Sequence, residues 1–83
     1  MTAEISRRIE EFIFESLLLG DRSRMPAPED SLIESGVIDS TGVLELIEFL
    51  EAEFDIRVAD AETVPENLDS VARVAAFVDK KRG

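Results

Sequence analysis

The 83-residue chain contains no cysteine and no histidine. Without cysteine there is no disulfide, no thiolate nucleophile and no thiolate metal ligand, and nothing points to an oxidising compartment. Without histidine as well, the commonest general base, the commonest zinc ligands and every Ser-His or Cys-His pairing are excluded, so the chain is not expected to be an enzyme. Apolar runs are too short to span a bilayer. The opening residues, Met1 to Arg8, lead into an amphipathic pattern and lack the continuous apolar stretch of a secretion signal. A soluble, cytoplasmic protein is expected. Positive charge is missing from the middle of the chain. Between Met25 and Ile56 there is no Lys or Arg, while Glu29, Asp30, Glu34, Asp39, Glu45, Glu48, Glu51, Glu53 and Asp55 are all acidic. This one-sign field, within a net charge of −10, repels nucleic acid and anionic lipid and steers basic protein surfaces toward it.

What the chain does have is enough apolar material, 45% of residues, to rule out a disordered tail. The length fits a single small domain over residues 1–83, of modest stability and expected to be a monomer. Ile5, Ile9, Phe12, Ile13 and Leu17 recur at helical spacing, with Glu4, Arg7, Arg8, Glu11 and Glu15 largely between them, which predicts an amphipathic helix over Thr2 to Leu19. Thr2 serves as its N-cap and Gly20 as its stop. Pro26 and Pro28 exclude a regular helix in the segment that follows. A loop so long needs anchors, and Leu32, Val37 and Ile38 are expected to pin it to the core. Asp39 then caps a second helix carrying Val43, Leu46, Ile47, Leu50 and Phe54 on one side and Glu45, Glu48 and Glu51 on the other. A short helical turn, interrupted near Pro65, is expected within Ala59 to Asn67. Asp69 is expected to cap a last helix with Val71, Val74, Ala75 and Val78 on one side, and Lys80, Lys81 and Arg82 near its negative dipole end. The prediction is an all-α fold, a small four-helix bundle with a long first loop and a short third helix.

The informative stretch runs from Glu34 to Leu46, where a glycine-bearing loop delivers Asp39-Ser40 to the head of an acidic amphipathic helix. On physical grounds Ser40 takes the first helical position with its hydroxyl outward, and Asp39 is free to bond the N–H groups of the first turn. Taken alone, the pair reads as simple capping. Its surroundings say more. Gly36-Val37-Ile38-Asp39-Ser40, followed by Leu44-Glu45-Leu46 and Glu51-Ala52-Glu53-Phe54, resembles the phosphopantetheine attachment region of acyl carrier proteins and peptidyl carrier domains. The predicted order of helices is similar to that family over the whole chain, which implies a bundle of acyl-carrier type.

The resemblance implies that Ser40 accepts 4′-phosphopantetheine from coenzyme A through a phosphopantetheinyl transferase. No other serine stands before a helix of this kind. The arm's phosphodiester would lie at a helix N-terminus, which favours anions, and its thiol would supply what a chain without cysteine lacks. The resemblance further implies an acyl- or aminoacyl-loading ligase and downstream acyl-processing enzymes with basic docking surfaces as partners. Glu45 and Glu48, with Glu51 flanking, would meet those surfaces, and Thr41 and Leu44 would add apolar contact. Read without the resemblance, the same glutamates are a solvated helix face. Two positions depart from the family pattern. Thr41 and Gly42 follow Ser40 where a leucine is usual, and Glu48 replaces a methionine common in fatty-acid carriers. The surface around Ser40 is therefore more polar, and a specialised carrier is implied.

Three functions follow. The first is a freestanding carrier of acyl thioesters in lipid or specialised-metabolite biosynthesis. The second is an aminoacyl or peptidyl carrier of D-alanyl type. The third, of another class, is an unmodified acidic protein-binding module. No resident metal is expected: the carboxylates have no EF-hand spacing and would hold calcium or magnesium loosely.

Overall fold

A computed structural model describes residues 2–82, Thr2 by its backbone alone. Helix α1 spans Thr2–Phe12 and continues as a wider π-helical turn over Ile13–Leu17. α1 already includes Thr2, whose side chain lies outside the described residues, and so does the cap role expected of it. Ile5, Ile9 and Ile13, four residues apart, face the core. In the π turn the Leu18 N–H reaches back five residues to the Ile13 carbonyl at 2.9 Å. The buried series therefore steps from Ile13 to Leu18, and Leu17, which α-helical spacing assigns to the core, is only half-buried. Leu19 and Gly20 both take positive φ, 52° and 86°, and the Gly20 N–H closes the end of the helix on the Phe14 carbonyl at 2.8 Å.

The segment from 21 to 39 contains one 3-10 turn, Arg22–Arg24, whose Ser23 N–H is accepted by Asp21. Leu32, Val37 and Ile38 are buried, as their apolar character requires. Backbone bonds complete the anchoring. Ala72 N–H donates to the Pro28 carbonyl at 2.9 Å, and Leu32 N–H to the Asp69 carbonyl at 2.7 Å. The Asp69 carboxylate accepts from Ser31 Oγ at 2.8 Å and from Ile33 N–H at 3.1 Å. Asp69 thus clasps the loop and is not the cap of the last helix. That cap is Ser70, whose Oγ accepts the Arg73 N–H at 3.1 Å.

Helix α2 spans Ser40–Phe54 and ends at Asp55, which occupies the left-handed region that a short polar side chain tolerates. A 3-10 turn over Asp60–Glu62 leads to the single-turn helix α3, Pro65–Leu68. Pro65 starts that turn and does not interrupt it, because a proline at the first helical position gives up only an N–H that would be unpaired anyway. Helix α4 spans Val71–Arg82. α1 packs chiefly on α4 and runs antiparallel to α2, with Phe12 stacked on Phe49 at 4.4 Å and Arg8 paired to Glu53 at 2.7 Å. One apolar cluster gathers side chains from every helix. It includes Leu46, Leu50 and Phe54 of α2 and Val71, Val74, Ala75, Phe77 and Val78 of α4. The result is a small all-helical bundle of acyl-carrier type with a long first loop and a short third helix, and no strand among the described residues. No described helix is long and apolar enough to cross a membrane.

A candidate attachment site at the head of α2

The loop turns at Gly36, where φ is +78°, and then runs through the buried pair Val37 and Ile38 into α2. Burial of that pair fixes where the helix begins. Asp39, extended at φ −122° and ψ −169°, is the N-cap. Its Oδ1 accepts the Gly42 N–H at 2.8 Å, and its carbonyl accepts the Val43 N–H at 2.9 Å. Ser40 is the first helical residue and is exposed. Among the described residues no hydrogen bond engages its hydroxyl, and the first turn of a helix leaves N–H groups without partners inside the helix.

Thr41, Leu44, Glu45 and Glu48 are all exposed on the same side of α2 as Ser40, and Leu44 shows 63% of its surface. They form one polar face with a single large apolar side chain at its centre. Glu51 differs. It is half-buried, and its Oε2 accepts the Val58 N–H at 2.9 Å, so it braces the turn that leaves α2. Among the described residues no three ligating side chains converge as they would around a metal ion.

Two residues that shape the site escape a reading of the sequence. Gly42 appears there only as a weak helix former. In the fold a β-carbon at position 42 would stand 2.8 Å from Ile38 Cγ1, so the missing side chain is what lets the loop pack against the helix. Asp69, whose clasp positions the loop that feeds Ser40, lies 38 residues from Ser31, and no local signal ties the two together.

An exposed hydroxyl held at the positive end of a helix, in an acidic bundle without a thiol or a histidine, suits a protein that bears a group for other enzymes to act on. These features, with the stretch from Gly36 to Phe54 that resembles the attachment region of carrier proteins, fit a carrier protein. No protein-family model matches the chain. It is 32% identical over 68 residues to the D-alanyl carrier proteins of Streptococcus pyogenes serotype M5 (strain Manfredo) and serotype M1, across 82% of this chain and 84% of theirs. The chain belongs to their phosphopantetheine-binding carrier protein family.

Proposed function

We propose that the chain is an aminoacyl carrier of D-alanyl type, bearing 4′-phosphopantetheine on Ser40 and catalysing nothing itself. The observation that carries this reading is the exposed Ser40 hydroxyl beside a polar docking face, in a chain whose relatives are named for D-alanyl cargo. The residues fit the group: Ser40 is uncovered, Asp39 holds the helix start, and the adjoining turn at Gly36 has no side chain to obstruct an arm. When bound, the arm supplies a terminal thiol that holds cargo as a thioester. During attachment the Ser40 oxygen attacks the pyrophosphate of coenzyme A, the new phosphodiester forms as the pyrophosphate bond breaks, the 3′-phosphorylated adenosine monophosphate leaves, and the serine proton passes to a base of the transferase.

Cargo chemistry follows from the surface and the core. Glu48 and Thr41 make the docking face polar, which disfavours enzymes that grip apolar carrier surfaces. The interior beside α2 is filled by Leu46, Leu50, Val71, Val74 and Val78, all without exposed surface, so a long acyl chain would have to displace packed side chains. A short polar aminoacyl group has no need of that space. These points favour the aminoacyl reading over fatty-acyl carriage. Glu45 and Glu48 meet a basic surface on the loading ligase, and Leu44 anchors the contact. The setting is the cytoplasm, where coenzyme A is available.

The test is the intact mass of the protein after incubation with coenzyme A and a broad-specificity phosphopantetheinyl transferase, followed by loading with an amino-acid-activating ligase or a fatty-acyl ligase. One arm per chain, absent in S40A, and loading with D-alanine in preference to a fatty acid are the expected results. Failure to gain mass favours the unmodified binding module, and preferential fatty-acyl loading overturns the assignment of cargo.

A further inference from the structure

Arg24 differs from the other cations of the first half of the chain. Arg7 pairs with Glu11, and Arg8 pairs with Glu4 and Glu53. Arg22 sits over the Phe14 ring at 4.7 Å. Arg24, two residues along the same short turn, reaches the loop instead, with Nη2 3.5 Å from the Gly36 carbonyl, a long and weak contact. Among the described residues it has no carboxylate within ion-pair distance. In a chain of net charge −10, an arginine left without an acidic partner is an uncommitted anion receptor.

Its position gives that receptor a target. Arg24 lines an open groove of about 360 Å³ with Leu17 from the end of α1, Gly36 and Val37 from the loop, and Asp39, Thr41 and Gly42 next to Ser40, which itself stands just outside the lining. Glu45 closes the groove one turn further along α2. A phosphodiester on Ser40 adds negative charge beside Asp39 and Glu45, in a segment that has no Lys or Arg from residue 25 to residue 56. The Asp39 oxygen Oδ1 is turned into the helix cap. Among the described residues Arg24 is the one cation lining this groove, and a guanidinium matches two phosphate oxygens with parallel, charge-assisted hydrogen bonds. The groove is mainly polar, and half-buried Leu17 gives it an apolar edge for the dimethyl-bearing segment that follows the phosphate in the arm.

We propose that Arg24 is a positioning residue for the prosthetic arm, exchanging its weak contact with Gly36 for the phosphodiester on Ser40 and drawing the proximal arm into the groove beside Leu17 and Val37. The inference rests on the reading that Ser40 bears the arm. The arm then passes from Ser40 over Thr41 toward the end of α1, and Leu44 and Glu48 stay clear for partner enzymes.

The experiment compares amide and phosphorus NMR spectra of the unmodified and modified protein, prepared with coenzyme A and a broad-specificity transferase, for the parent, R24Q, R24K and R22Q. Attachment in the parent is expected to shift the amides of Leu17, Gly36 and Val37 as well as those flanking Ser40. R24Q should lose the shifts at Leu17, Gly36 and Val37 while still gaining full mass, R24K should keep part of them, and R22Q should keep them all. Full mass gain with shifts confined to Asp39 through Gly42, or distant shifts that survive R24Q, overturns the role of Arg24 alone. A parent protein that gains no mass overturns the attachment reading and this inference together.

Discussion

Replacing Gly42 with alanine sets two effects of opposite sign against each other at the helix that presents Ser40. Alanine is favoured over glycine within a helix by at most about 1 kcal/mol, so propensity alone makes G42A stabilising. Packing opposes it. A β-carbon at position 42 would stand 2.8 Å from Ile38 Cγ1, 3.7 Å from Ile38 Cβ and 3.4 Å from the Asp39 oxygen that caps the helix. Ile38 is 4% exposed and has no open space to swing into. Overpacking at such a site costs about 1–3 kcal/mol, and disturbing the cap adds about 1 kcal/mol. Packing wins, leaving a net loss of about 1–3 kcal/mol. For a domain of this size that lowers the melting temperature by roughly 5–25 °C. The assay is thermal unfolding followed by circular dichroism on G42A, I38A and the double variant. If the clash with Ile38 is the cause, the same glycine replacement becomes neutral or stabilising once the Ile38 side chain is gone, which appears as coupling in the double-mutant cycle. A single variant G42A that melts above the parent, or a penalty unchanged in the I38A background, refutes the reasoning.

D69A removes two hydrogen bonds to the long loop and is expected to cost about 1–3 kcal/mol, with faster amide exchange at Leu32, Val37 and Ile38; S70A should weaken α4 by about 1 kcal/mol and leave loop exchange unchanged. Reversing charge at Glu45 and Glu48 together should reduce kcat/KM of the loading ligase by about tenfold or more and flatten its dependence on salt, without lowering the melting temperature. E51Q should show the opposite pattern, with loading retained and stability reduced through the weakened bond to Val58. The Ala59 N–H first, and then the hydrogen bond and charge of Lys81, hold the Glu62 carboxyl below the usual glutamate value. A carboxyl with a lowered folded-state pKa contributes stability that is complete above the unfolded value and is lost as pH falls through the folded one. The loss therefore falls at pH below about 4.3, and E62Q should shrink the acid-induced drop in melting temperature; an identical drop in both proteins contradicts this.

The sequence by itself determined the helical bundle, the long loop and the presentation of Ser40, because each depends on signals only a few residues apart. Ile5, Ile9 and Ile13 mark one face at helical spacing, Pro26 and Pro28 forbid a helix between α1 and α2, and Asp39 reaches the Gly42 N–H three residues on. Composition added that a chain without cysteine or histidine brings no thiol or imidazole of its own. Tertiary structure decided what depends on residues far apart in the chain. Asp69 clasps Ser31 and Ile33 across the fold and leaves the capping of α4 to Ser70. Glu51 is drawn out of the acidic face by Val58, the π turn moves Leu18 inward in place of Leu17, and Gly42 is required by the approach of Ile38. Spacing shows which way a side chain leaves its own helix, but not which neighbour the folded chain will bring to meet it.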